Sequence, residues 1–142
     1  MGLCWSWSRA SWLFGRESVS EQNDPLHNAG ENVHLITTVE CWEDKLSEAS
    51  RDGKIVVANF SASWCGPCKG IAPVYSDLAD KYPSLIFLTL DVDDLADLST
   101  SWDITATPTF FFLKDGKQIL DKLVGANKAE LQKKTTAAAS SR

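Results

Sequence analysis

A pair of cysteines between a buried strand and a helix is the feature that most constrains this fold. The segment KIVVANF, residues 54–60, is an almost continuous apolar run, which is typical of a central strand covered on both faces. Cys65 and Cys68 follow in the sequence SASWCGPCKG, where an apolar helical period begins and continues towards Tyr82. The sequence therefore places both cysteines at the start of a helix that follows a buried strand.

The rest of the chain alternates strand and helix patterns. A short strand in VHLITT precedes a helix that ends near Asp52-Gly53, and a third buried strand, LIFLTLDV, precedes a short helix in DLADLSTSW. Asp115-Gly116, between PTFFFLK and KQILDKLV, is a strong hairpin signal, and the last helix is expected to dissolve in TTAAASSR. This order predicts an α/β fold with parallel strands first and an antiparallel hairpin last. Helix caps are expected at Thr37 with Glu40 and at Asn127 with Glu130.

The position of the two cysteines favours redox chemistry. Free N–H groups and the positive end of the dipole stabilise a thiolate at a helix N-terminus, so Cys65 is predicted to be an exposed nucleophile. Cys68 lies one turn further on, where it can attack a mixed disulfide formed by Cys65 and release the product. Gly66 is predicted to permit the tight turn, and Pro67 to restrain the loop.

Two other uses of the pair are weaker. A zinc site needs four ligands, and Cys41, His27 and His34 are too scattered to supply them, so no metal is expected. A structural disulfide closing so short a loop would restrict the unfolded chain little. The chain shows no secretory signal, which indicates a reducing compartment, where such a pair is more often catalytic or metal-binding. Cys41 itself is predicted to be a partly buried small hydrophobic residue.

Charge and hydropathy exclude two classes of function. The net charge is −5, and the first sixteen residues carry Arg9 and Arg16 but no acid, so the remaining chain is acidic. An acidic body argues against nucleic acid as a partner, because phosphate binding needs a basic face. No run of eighteen apolar residues is present, so no membrane-spanning helix is expected.

Several motifs in order resemble the thioredoxin family over roughly residues 32–138. These motifs are WCGPCK, Pro73, ATPTF and VGANK, in that order. The opening MGLC and the segment STSWDI further resemble a plant h-type thioredoxin with an N-terminal extension. The resemblance implies the thioredoxin fold, with a central mixed sheet flanked by helices, in residues 32–142. The polar, aperiodic stretch before Asn32 predicts a flexible arm in residues 1–31. The resemblance further implies a cytoplasmic protein-disulfide reductase that acts in electron transport and cell redox homeostasis.

The resemblance also implies the partners and the role of each matched residue. Disulfide-containing target proteins are the substrates, no cofactor is bound, and electrons come from NADPH-thioredoxin reductase or from glutathione and glutaredoxin. Cys65 is implied to attack and Cys68 to resolve. The implied docking residues are Trp64 at the rim, Thr107 through its backbone, Pro108 after a cis peptide bond, and Gly125 on the apolar surface.

Asn59 departs from the family pattern. Most thioredoxins have there a buried Asp that helps to move the proton of the resolving cysteine, and an Asn side chain cannot titrate. Three explanations are open: water accepts the proton of the resolving cysteine, or thiol-disulfide exchange is slower, or the electron donor differs. The alternative is that Asn59 only satisfies hydrogen bonds in a sheet. Ser61 also stands where the family usually has Trp.

The first residues carry a lipidation signal. MGLCWS matches the N-myristoylation pattern at Gly2, and a palmitate on Cys4 or the nearby aromatic residues would supply the second membrane signal. The sequence leaves two other interpretations open, an organelle presequence and a disordered tail. Cys4 could instead act as a redox relay to a glutathione-based donor.

Two other functions compete with the reductase. A membrane-tethered adaptor would dock partners and use the cysteine pair only to sense redox state. A disulfide isomerase is disfavoured, because isomerases favour an oxidising loop and a secretory signal, and neither is seen.

Overall fold

The computed structural model describes residues 32–141. In chain order the elements are β1 (Val33–Ile36), α1 (Val39–Asp52), β2 (Ile55–Ser61), α2 (Gly66–Lys81), β3 (Leu85–Asp91), α3 (Ala96–Ser101), β4 (Thr109–Lys114), β5 (Lys117–Gln118), β6 (Leu123–Val124) and α4 (Lys128–Ser140). No helix in this described part of the chain is long and apolar enough to cross a membrane.

The strands form one mixed sheet in the order β1-β3-β2-β4-β5, and β6 also pairs with β4. β1 and β2 both run parallel to β3, whereas β4 is antiparallel to β2. Ile36 and Phe60 pair with the same residue, Leu90. The three parallel strands therefore end at one edge, which we name the C-terminal edge, and α1 and α2 both begin there.

Two apolar cores hold the helices on opposite faces of the sheet. Side chains of α2 and α4, among them Tyr75 and Leu131, pack with Val57 on one face. Trp42 of α1 packs with Phe60 on the other face. As predicted from their patterns, β2 and β3 are buried along most of their length, and β4 is too, as is typical of strands covered on both faces.

The local signals were confirmed at some element ends and wrong at others. Asp115 and Gly116 have φ values of 53° and 78° between β4 and β5, as the hairpin prediction required. Asn127 caps α4 by accepting from Glu130 N at 3.0 Å, also as predicted. The cap of α1 is Thr38, whose hydroxyl accepts from Cys41 N at 3.1 Å, so the prediction of Thr37 was off by one residue. The prediction that the last helix dissolves early was also wrong, because α4 extends to Ser140.

His34 on β1 should make the fold sensitive to acid. Burial, and then the nearby Lys45 ammonium, lower its pKa below 6.5, against a smaller opposing effect of Glu48. Below pH 6.5 the unfolded chain therefore binds a proton that the folded chain resists, and stability is lost as the pH falls through the lowered pKa. We expect His34→Gln to lose less stability than the parent between pH 7.5 and 5.5 in urea unfolding. A stability difference between the two proteins that does not change with pH would contradict this.

Candidate active site

Cys65 is the N-cap residue of α2. Its backbone is extended, with φ −86° and ψ 112°, and its sulfur accepts a hydrogen bond from Cys68 N at 3.2 Å. Pro67 lies in the first helical turn, where a missing N–H costs nothing because it would have no partner within the helix. The chain therefore places a sulfur, instead of the usual oxygen, at the positive end of a 16-residue helix.

Cys65 and Cys68 form a disulfide, with their Cα atoms 5.3 Å apart. Both residues are only 4% exposed and pack against Ala62 and Val92. The prediction that Cys65 is exposed is therefore wrong for this oxidised form. The closed disulfide and the packing beneath it cover Cys65 as fully as Cys68.

The loop before β4 meets the disulfide from the other side. The peptide bond between Thr107 and Pro108 is cis, as the resemblance implied. Cys65 Sγ lies 3.6 Å from the carbonyl oxygen of Thr107. Gly125 N donates to Pro108 O at 2.8 Å, and its φ of 106° is one that side chains rarely adopt, which explains a glycine there. The structure thus brings together Cys65, Thr107, Pro108 and Gly125 from distant parts of the sequence.

Trp64 forms the exposed rim of the site. It is 67% exposed, and its Nε1 donates to Asp93 Oδ2 at 2.9 Å. Asp93 N in turn donates to Asp91 Oδ1 at 2.8 Å, and burial raises the pKa of Asp91. This acidic support was not predicted from the sequence, although the position of Asp91 at the end of β3 was a signal for it. Val124, a second exposed apolar residue, directly precedes Gly125 and was not predicted either.

The thioredoxin family model matches residues 33–137 of this chain. The chain belongs to the thioredoxin family. A thioredoxin H-type of Populus jackii is 62% identical over 138 residues, which are 96% of this chain and 93% of that protein. Thioredoxin H9 of Arabidopsis thaliana is 68% identical over 117 residues, covering 80% and 83% of the two chains. The crystal structure of a poplar wild-type thioredoxin h matches with a TM-score of 0.76 and 70% identity, and covers 79% of this chain and all of that one, 100%.

Membership in the family, together with the observed disulfide, settles the class of chemistry. Thioredoxins are protein-disulfide oxidoreductases that take electrons from reductases, and the predicted thioredoxin fold is confirmed. The Cys65–Cys68 disulfide is consistent with dithiol-disulfide exchange. Within residues 32–141, no group of three or more His, Cys, Asp or Glu side chains could hold a metal ion. Gly2 and Cys4, the residues of the predicted lipidation signal, lie outside the described residues.

Gly66 does not have the predicted steric role in this thioredoxin. Its backbone is not in the left-handed region, and a Cβ added there would meet no atom within 4 Å. The turn after Cys65 therefore does not need a glycine in this conformation.

Asn59 lies on the face of the sheet that α2 covers. It is 4% exposed, pairs with Thr89 and Phe110 across the sheet, and shares a face with Val57, which α2 covers. Its Oδ1 is buried and has no hydrogen-bond partner in the described part of the chain. The interpretation that Asn59 only satisfies hydrogen bonds in the sheet is therefore wrong for this oxygen. A buried acceptor without a donor is costly and calls for an explanation.

Proposed function

We propose that this thioredoxin reduces disulfides of target proteins, with Cys65 as the attacking cysteine and Cys68 as the resolving one. The supporting observation is the Cys65–Cys68 disulfide at the start of α2, closed beneath an exposed Trp64. In the reduced protein the Cys65 thiolate attacks one sulfur of the target disulfide, and the other sulfur leaves as a thiolate. Cys68 then attacks Cys65 Sγ, the second target sulfur leaves, and two electrons have passed to the target.

The hydrogen bond from Cys68 N to Cys65 Sγ favours Cys65 as the attacking thiolate. The N–H donates to this sulfur at 3.2 Å, and such a hydrogen bond is stronger when the sulfur is a thiolate. The helix dipole also stabilises the thiolate. Cys68 lies inside α2 and has no comparable place at the end of the helix. The two cysteines therefore have different roles although both are buried.

The residues around Cys65 support docking of an extended target segment. Trp64, which directly precedes Cys65, and Val124, which pairs with Thr109 next to Pro108, both offer exposed apolar surface. The backbone of Thr107 lies beside Cys65 Sγ, where it could pair with the backbone of a target. We infer that Trp64, Thr107, Pro108 and Gly125 position the target disulfide over Cys65.

We propose glutathione with glutaredoxin as the electron donor, with Cys4 as the thiol that receives its electrons. Two observations support this choice. Asn59 cannot exchange a proton with the resolving cysteine, so the proton transfer must follow another route, and a changed donor is one explanation. The chain also carries an additional cysteine, Cys4, near its N-terminus. NADPH-thioredoxin reductase is the alternative donor.

Turnover of insulin disulfides with each donor system, in the parent and Cys4→Ser, tests this proposal. We expect the parent to work better with glutathione and glutaredoxin, and Cys4→Ser to lose most of that activity. The matched control is the activity with dithiothreitol, which reduces Cys65–Cys68 directly and should not change. If thioredoxin reductase supports turnover and Cys4→Ser has no effect with either system, the donor proposal fails.

We propose that acylation of Gly2, with palmitate on Cys4 as the second signal, attaches part of the cellular protein to the cytoplasmic face of a membrane. A single acyl chain binds only marginally, so both groups matter. An acylated Cys4 has no thiol, so the membrane-attached form cannot use the Cys4 relay. We expect Gly2→Ala to move the protein from the membrane pellet to the supernatant on fractionation. Import of the parent into an organelle would contradict this and favour the presequence interpretation.

A further inference from the structure

Trp64 and Asp93 form a pair on the exposed rim of the active site. The indole Nε1 of Trp64 donates to Asp93 Oδ2 at 2.9 Å, and Asp93 N donates to Asp91 Oδ1 at 2.8 Å. Val92, which lies between the two acids, packs against the buried Cys65 and Cys68. The segment after β3 therefore contacts both the rim and the buried sulfurs, and it places a carboxylate beside an aromatic ring that is 67% exposed.

The negative charge at this rim has no cation beside it. Asp93 and its neighbour Asp94 are both exposed, and neither makes an ion pair with a cation in residues 32–141. The indole N–H that Asp93 accepts is neutral, so the carboxylate charge is not compensated. The pKa of Asp91 responds to the same charge: burial raises it most, and the carboxylates of Asp94 and then Asp93 raise it further, against opposing backbone hydrogen bonds. A positively charged group of a partner is attracted to such a place.

The ring of Trp64 suits the same kind of group. The face of an indole attracts an ammonium or guanidinium group that lies within about 6 Å of the ring centre. The hydrogen bond to Asp93 fixes the orientation of the ring, so less ordering is needed when a target binds. A long cationic side chain can pack its apolar stem on the ring and direct its charge to the carboxylate. Lysine and arginine are the side chains that satisfy both groups.

We propose that Trp64 and Asp93 bind a Lys or Arg side chain of the target, two positions from the cysteine that Cys65 attacks. The inference rests on the proposed docking of an extended target segment over Cys65 and adds the chemistry of that segment. In an extended chain, residues two positions apart point to the same side and lie roughly 7 Å apart. A target cysteine that faces Cys65 Sγ therefore directs this second side chain to the protein as well. Trp64 directly precedes Cys65 in the chain, so the rim lies within that range.

Such a site selects targets by charge. An acidic residue at the same target position lies against Asp93 and Asp94, and like charges brought together at an interface disfavour binding. A neutral residue keeps the contacts of the target backbone but loses the attraction to Asp93. Cys65 is therefore expected to react fastest with those disulfides whose cysteine has a basic residue two positions away.

Matched peptides test this preference. Each peptide has one cysteine joined to thionitrobenzoate, a group that leaves readily, so Cys65 attacks the peptide sulfur and a coloured thiolate is released. One member of each pair has Lys two positions from the cysteine, and the other has norleucine, whose apolar stem is similar. One pair carries this residue before the cysteine, and a second pair carries it after. The second-order rate constant of release is measured with reduced, donor-free full chain that carries Cys4→Ser, so that this additional thiol does not react.

We expect Lys to be preferred over norleucine by about fivefold in at least one pair at low salt, and by less than about twofold in about 0.5 M NaCl. Asp93→Asn keeps an oxygen that accepts from the Trp64 indole but loses the charge, and its preference should fall to about twofold or less. The matched control is Asp77→Asn, which removes an exposed carboxylate about three turns into α2 and should keep the preference of the parent.

Equal rate constants for Lys and norleucine in both pairs would overturn the inference and leave the proposed function standing, because Cys65 would still attack the peptides. A Lys preference that Asp93→Asn retains, or that Asp77→Asn loses as fully, would also overturn it. If release is no faster than with Cys65→Ser, the proposed function fails and this inference fails with it.

Discussion

Replacement of Cys68 with Ser is expected to stop turnover and to trap target proteins on Cys65. Cys65 keeps its place at the start of α2, so it still attacks a target disulfide. A Ser hydroxyl is too weak a nucleophile at neutral pH to displace Cys65 from the mixed disulfide. We therefore expect turnover of insulin to fall to the uncatalysed rate and a species with the mass of the chain plus the target to accumulate.

The control also replaces Cys4, the other cysteine whose thiol could release the target from Cys65. In the double variant Cys4→Ser, Cys68→Ser, the mixed disulfide should persist longest, and Cys65→Ser with Cys4→Ser should form none. Circular dichroism would verify that each variant is folded. Turnover by Cys68→Ser comparable with that of the parent, with no trapped species, would show that Cys68 is not the resolving cysteine.

Asn59→Asp is expected to make the fold lose stability as the pH rises, which is opposite in sign to the pH dependence that His34 gives the parent. The position is 4% exposed between β3 and β4, so a carboxyl there would have a raised pKa. The unfolded chain releases that proton at lower pH than the folded chain, and stability is therefore lost as the pH rises through the raised pKa. An unpaired buried carboxylate should cost about 3–5 kcal/mol once it is ionised. Urea unfolding between pH 5 and 9 measures the loss.

The near-isosteric variant Asn59→Leu is the matched control. It removes the unpartnered Oδ1 without adding a charge, so its stability should equal or exceed that of the parent at every pH. Because α2 covers Asn59, we also expect the ionised Asn59→Asp variant to resolve mixed disulfides faster by accepting the Cys68 proton. A stability difference between Asn59→Asp and the parent that is the same at pH 5 and at pH 9 would show that the position is open to solvent.

Local patterns were enough to predict the elements that place the site. The apolar run before Cys65 and the helical period after it required a buried strand and a helix, and β2 and α2 lie there. The Asp115-Gly116 turn needs two positive φ values, which few other residue pairs tolerate. The hairpin could therefore be predicted from these two residues alone. The approach of Thr107 and Gly125 to Cys65 came only from the resemblance, because no local pattern encodes a contact between distant loops.

The remaining features depend on packing that no single segment determines. Tyr75 reads as an apolar helix residue, yet its buried hydroxyl lies 2.6 Å from Leu88 O and 2.9 Å from Val57 O, and burial raises its pKa. Thr37 and Thr38 are equally good caps in sequence, and the end of β1 decides between them. The burial of Cys65 follows from contacts with Ala62 and Val92, which belong to different strand ends.

The thiols of Cys65 and Cys68, followed during a single turnover, show whether this couple supplies the electrons that reduce the target. Reduced protein is mixed with insulin, and samples are alkylated at intervals. The mass of the tryptic peptide of residues 55–69 is measured in each sample, and the insulin thiols are counted. Cys4→Ser is used, so that only the active-site couple can supply electrons. We expect the doubly alkylated fraction of this peptide to fall at the rate at which insulin thiols appear. Insulin thiols that appear while the peptide stays doubly alkylated would contradict it.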